Sequence, residues 1–179
     1  MKFKDNEKRT VHYIAAVILT LFCIVLDQYT KHLAYARLKG QKPFVILDGI
    51  FELQYLENRG AAFGLFQNQQ FFFLMSAAVI SIVIVWFYIR VPMNRRFFPL
   101  RFCAVFLMAG AVGNCIDRTI RKFVVDFLYF KLIDFPIFNV ADIYVTAAAF
   151  ILAFLLVFYY KEDELETIYR NKKSEGGTA

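Results

Sequence analysis

Four long uncharged stretches constrain this chain more than anything else in it. They are Val11–Leu26, Gly60–Ile89, Phe102–Ile116 and Ile143–Tyr160, with 16, 30, 15 and 18 residues. A bilayer core about 30 Å thick takes about 20 helical residues to cross. The second stretch, with its apolar heart at Phe71–Ile89, and the fourth are long enough alone. The first and third fall short unless their closing acids, Asp27 and Asp117, lie at the membrane boundary and face protein. Composition points the same way, because 59% of the 179 residues are hydrophobic, against about half in a soluble domain. The expected fold class is an α-helical integral membrane protein with four transmembrane helices, at about 11–30, 70–90, 99–118 and 141–160. Residues 1–179 are read as a single membrane domain.

The net charge is +6, but Lys and Arg gather at the ends of the apolar blocks, as in a membrane protein. No basic stripe interleaved with stacking aromatics is present, so nucleic acid is not an expected partner. The loop Arg90–Arg101 holds Arg90, Arg95, Arg96 and Arg101 and no acid, which predicts a cytoplasmic loop. Both termini then lie inside, and residues 161–179 read as a cytoplasmic tail that frays. Asp27, Lys31 and His32 separate the first apolar stretch from Ala34-Tyr35-Ala36, which argues against a cleaved signal peptide. The only His, His12 and His32, flank one apolar stretch. That spacing suits neither a metal site nor a Ser–His–Asp triad, and no metal or cofactor is expected. Cys23, Cys103 and Cys115 read as small buried hydrophobes.

Outside the membrane the sequence predicts a small β-containing segment at about 40–66. Phe44–Leu47 and Ile50–Leu56 flank Asp48-Gly49, a hairpin signal. Phe51, Leu53 and Tyr55 alternate with Glu52 and Gln54, so one face is expected to be apolar, resting on the bilayer or gripping an extended peptide.

Four acids mark the ends of the spans. Asp27 and Lys31 are spaced for a local ion pair. Asn114, Asp117 and Arg118 share one stretch of helix, with Asp117–Arg118 as a candidate structural pair, and Gly110 and Gly113 before them permit close helix packing. Asp126 sits in the apolar run Phe123–Leu128 with no cation within three residues. Asp142 opens the fourth span after Phe138-Asn139-Val140-Ala141, where Asn139 or Asp142 can cap the helix. Because the third span exits and the fourth enters on one membrane face, Asp126 and Asp142 lie on the same side. Two carboxylates that meet in a desolvated site share a proton, so one acts as base and the other as acid. The residues alone leave open a small non-enzymatic membrane carrier, or an assembly subunit, using the same boundary carboxylates.

Five strings then carry a resemblance. They are Leu26-Asp27-Gln28-Tyr29-Thr30-Lys31, Glu57-Asn58-Arg59-Gly60-Ala61-Ala62-Phe63-Gly64, Gly113-Asn114-Cys115-Ile116-Asp117-Arg118, Val124-Val125-Asp126-Phe127 and Phe138-Asn139-Val140-Ala141-Asp142. In this order and at these topological positions, the chain resembles prolipoprotein signal peptidase (signal peptidase II), a family of bacterial intramembrane aspartyl proteases. The resemblance implies that Asp126 and Asp142 are the catalytic dyad. It implies that Asn58, Asn114, Arg118 and Asn139 line the site; Gly60 and Gly64, read from the residues alone, either let backbone approach the peptide or serve an ordinary turn. Asp27, Lys31 and Asp117 are implied to be structural. Implied partners are diacylglyceryl-prolipoproteins and membrane lipid, in the bacterial cytoplasmic (inner) membrane, with the site at the outer face; because one chain holds every needed residue, a monomer is expected. The chain departs from the family where Arg121-Lys122-Phe123 replaces a stretch that commonly holds Gly, so the turn before Asp126 must be made without it.

Overall fold

The computed structural model describes the backbone of residues 2–60 and 69–169, and side chains from Arg9 onward. Helix α1 runs Lys2–Leu38, and its segment Arg9–Leu38, of 30 residues, is apolar enough to cross a membrane. At about 1.5 Å per residue this exceeds a hydrocarbon core by roughly 15 Å. The surplus turns are held by packing, because Ala34 and Leu38 meet Leu53, Tyr55, Val125 and Phe127 of a small sheet.

That sheet is antiparallel, in the order β1 (Phe44–Leu47), β2 (Phe51–Asn58), β3 (Val124–Phe130). The hairpin lies where its turn signal placed it, with Gly49 at φ 68°, a left-handed value that Gly adopts at little cost. The third strand carries no signal of its own. It is a short apolar run whose pairing partner lies far back in the sequence, and it places Asn58 opposite Val124 and Leu56 opposite Asp126. The alternation of β2 works differently from the expectation. Leu53 and Tyr55 rest on the end of α1. Glu52, expected on the open face, is buried and accepts a 3.2 Å ion pair from Lys131.

Three further helices are long and apolar enough to span: α2 (Gln70–Arg90), α3 (Phe98–Arg121) and α4 (Val140–Phe154), the last continued to Tyr159 by a π turn. Helix α3 is central and packs against α1, α2 and α4. Gly110 permits this, since a Cβ there would lie 2.5 Å from Val145 Cγ2 and 2.6 Å from the Ala141 carbonyl oxygen. A carbonyl in a helix cannot yield as a side chain can. Gly110→Ala is therefore expected to cost about 1–3 kcal/mol by forcing α3 from α4, read as a fall of several degrees in thermal midpoint in detergent.

The turn from α3 into β3 is made by Lys122 at φ 68°. A non-glycine residue in this region costs about 1–2 kcal/mol. Gln70 helps to hold the turn by donating to the Lys122 carbonyl at 2.8 Å. A short helix α5 (Glu162–Tyr169) follows α4. Through Tyr169 the tail is docked and not frayed: Ile168 is buried in a cluster with Val91, Phe97, Leu100 and Tyr160, and Arg96 pairs with Glu164 at 2.8 Å. Cys23 and Cys103 are buried, whereas Cys115 is only partly so, in a groove between α2 and α3.

Candidate active site

Strand β3 carries Asp126, which is 1% exposed. Its Oδ2 accepts from Asn58 Nδ2 at 2.9 Å, a partner that the β2–β3 register brings alongside. Its Oδ1 accepts from Asn139 Nδ2 at 2.6 Å. Asn139 is carried there because Phe138 is stitched to β3: its carbonyl accepts from Phe127 and Leu128, and its N–H donates to Leu128, all at 2.9–3.0 Å. The next residue then faces Asp126 and begins α4.

Asn139 is also the N-cap of that helix. Its side-chain oxygen accepts from Asp142 N, while Asp142 Oδ2 accepts from Asn139 N, each at 3.1 Å. This reciprocal box satisfies two otherwise orphaned donors. It also leaves Asp142 Oδ1 free to accept from Asn114 Nδ2 at 2.8 Å. Capping and membership of the site are thus the same geometry. Asn139 bridges the two acids, its side-chain NH2 on Asp126 and its backbone N–H on Asp142, and burial pushes the Asp126 carboxyl up to about 7, with the nearby Asp142 charge adding to the effect.

A second buried cluster underlies the first. The Lys31 ammonium, fully buried, lies 2.9 Å from Asp27 Oδ2, 3.2 Å from Asp117 Oδ2 and 2.8 Å from Asn114 Oδ1. Asp27 Oδ1 accepts from the Ala141 N–H at 2.9 Å, and Asp117 Oδ2 accepts from the Val125 N–H at 3.2 Å. These acids therefore fix the chain one residue before each of Asp142 and Asp126. The expected Asp27–Lys31 pair is present. The expected Asp117–Arg118 pair is not: neighbours on a helix point in different directions, and Asp117 takes Arg121 instead at 2.6 Å. Arg118 donates to the Gly60 carbonyl at 3.1 Å and sits 4.4 Å from the Phe73 ring centroid. Gly60 N donates in turn to Asn58 Oδ1 at 2.9 Å. Ala61, Ala62, Phe63 and Gly64 lie outside the described residues.

Sequence reasoning did not single out Gln28, which donates to Asp27 at 3.1 Å and to the Gly113 carbonyl at 3.1 Å. Its only signal was its place inside the first motif. It also missed Phe73, which looked like one more apolar residue of a span.

Membrane-length helices thus surround two acids held in one partly buried amide network. The profile of the signal peptidase (SPase) II family matches residues 19–158, and the chain belongs to this family of proteases. The lipoprotein signal peptidase of Caldanaerobacter subterraneus subsp. tengcongensis is 39% identical, over 80% of this chain and 96% of that one. That of Clostridium tetani is 37% identical over 84% and 95%, and that of Brevibacillus brevis 43% over 79% and 90%. Two solved structures of a bacterial membrane enzyme, obtained by the in meso method at 2.3 and 1.9 Å resolution, superpose with a TM-score of 0.72 each. They are 28% and 29% identical, covering 89% and 82% of this chain and 93% and 94% of theirs. The chain is thus a multi-pass membrane protease, and the carrier and assembly-subunit readings are not favoured.

Proposed function

We propose that this chain removes the signal peptide from diacylglyceryl-modified bacterial prolipoproteins, cutting just before the lipidated Cys with Asp126 and Asp142 as its catalytic pair. The observation that carries the reading is the joining of these two acids, from different elements, through Asn139, whose side-chain amide donates to Asp126 and whose backbone N–H donates to Asp142. The name shared by the relatives, lipoprotein signal peptidase, supplies the substrate class.

The environments of the two acids divide the roles. Asp142 stands in the first turn of α4 with a donor on each oxygen. A helix N-terminus favours the charged carboxylate. Burial, and then its neighbour's charge, raise the Asp126 carboxyl to about 7, so it is the protonated member at pH below that value. Asp142 takes a proton from water, and the resulting hydroxide bonds to the scissile carbonyl carbon. Asp126 gives its proton to the carbonyl oxygen, forming a gem-diol. Asp126 then takes a proton back from one of the diol hydroxyls as the C–N bond breaks. Asp142 gives its proton to the leaving amine, and both acids return to their starting states. Arg118, Asn58 and the Gly60 backbone border the pair and are suited to hold the substrate backbone.

The acid-free Arg90–Arg101 loop, which joins the ends of α2 and α3 away from the site, supports a cytoplasmic location for that connection. The sheet, the pair and the start of α4 then face outward in the bacterial cytoplasmic membrane, where a signal peptide emerges. Every group in the site comes from one chain, so a monomer suffices.

Two measurements bear on this reading. Asp126 must carry a proton to act as acid, and its value lies near 7. Activity is therefore expected to fall as pH rises through about 7, and a kcat/KM profile checks this. Intact-mass analysis of the products from one diacylglyceryl precursor should show a break immediately before the modified Cys. A break elsewhere would reject the assignment.

A further inference from the structure

We propose that Lys31 is a positioning residue for the acid pair: it fixes the Asn114 amide in the one orientation in which its NH2 faces Asp142. The proposal rests on the assignment of Asp126 and Asp142 as the catalytic pair, and it departs from the purely structural role that the sequence suggests for Lys31.

An ammonium has three N–H donors. Two of those of Lys31 neutralise it against Asp27 and Asp117. A structural ion cluster is complete at that point. The third goes to Asn114 Oδ1 at 2.8 Å, an oxygen that also accepts from Asn139 Nδ2 at 3.2 Å. The other end of the same amide gives its proton to Asp142 Oδ1 at 2.8 Å. Turned over, the amide would set its NH2 against an ammonium and a second NH2, and its oxygen against a carboxylate. All three contacts would be repulsive. With Lys31 in place, Asn114 can therefore only donate to Asp142. The other Asp142 oxygen already accepts from Asn139 N. The two donors together hold the Asp142 carboxylate in one orientation beside Asp126.

The charged groups around Asp142 are Asp126 from β3, Asp27 and Lys31 from α1, and Asp117 and Arg118 from α3; α4 adds no other. Removing Lys31 therefore also removes a charge that acts on Asp126 through space. Two variants separate that effect from the relay. Asn114→Ala leaves the ammonium and both its carboxylates in place but deletes the relay. Asp27→Asn/Lys31→Met removes the ammonium together with one of its partners, so the fold is not left with an additional unpaired buried acid.

The experiment is the pH profile of kcat/KM on a diacylglyceryl precursor in detergent, for wild type, Asp27→Asn, Asn114→Ala and the double variant, with thermal midpoints recorded alongside. On the plateau below pH 7, kcat is expected to fall about tenfold, with KM unchanged, in Asn114→Ala and in the double variant, about the loss expected when one donor contact to a charged group is removed. The basic limb should stay put in Asn114→Ala. Asp27→Asn should lower the midpoint while keeping kcat. An unchanged kcat in folded Asn114→Ala, or in the folded double variant, overturns the proposal and leaves Lys31 a structural residue. That outcome is distinct from failure of the underlying reading, which would appear as full cleavage by Asp126→Asn or Asp142→Asn.

Discussion

Asp142→Asn and Asp126→Asn are each expected to lose about 10²–10⁴-fold in cleavage rate, the usual contribution of a positioned acid or base, while remaining folded. Both substitutions keep shape and one accepting oxygen. Each forfeits one amide or backbone donor contact out of two. A lost contact of this kind costs about 1–3 kcal/mol. The rate loss is far larger in proportion, because an amide can neither take nor give the proton that the reaction moves. Initial rates at a pH below 7, with the thermal midpoint of the same preparation, separate the two effects.

The second large effect lies in the cluster beneath. Lys31→Met alone is expected to cost about 3–5 kcal/mol, the usual result of removing one member of a buried ion pair. Asp27 and Asp117 would remain fully buried. Asp117 keeps Arg121 at 2.6 Å, but Asp27 keeps only neutral donors, Gln28 and the Ala141 N–H. Combining Asp27→Asn with Lys31→Met should restore most of the loss, since Asn can still accept from Ala141 N. Midpoints for wild type, the two singles and the double, set out as a thermodynamic cycle, measure this coupling. An additive double variant would show that the pair does not act as a unit. Gly113 bears on the same point, because a Cβ there would lie 2.6 Å from Asp27 Oδ2: the close approach of α3 is what shuts water out of the ion cluster.

The helices were legible in the sequence because lipid-facing segments must be continuously apolar, and that pattern survives without context. The hairpin was legible because Asp48-Gly49 is a local signal. Strand β3 was not. Val124–Phe130 is apolar at nearly every position, which suits a strand or a helix equally, and only pairing with β2 decides between them. The same limit hid the burial of Glu52, whose partner Lys131 is 79 residues away. Among the site residues, the five motifs named Asp126, Asp142 and their amide neighbours but gave no wiring. Asn139 looked like a helix cap or a site residue, and it is both. Asp117 looked paired to the cation beside it, yet side-chain direction on a helix sends it to Lys31 and Arg121. The Arg121-Lys122-Phe123 departure proved to be a turn in which a lysine adopts the conformation that glycine takes more cheaply.

The most direct measurement is a gel-shift cleavage time course on one lipobox precursor, with and without its diacylglyceryl group. It would use wild type, Asp126→Asn and Asp142→Asn at equal folded concentration. The account predicts that wild type cuts only the lipidated precursor and that both variants leave it essentially intact. Full-rate cleavage by either variant would contradict the assignment of the pair, and equal cleavage of the unlipidated precursor would contradict the assigned substrate.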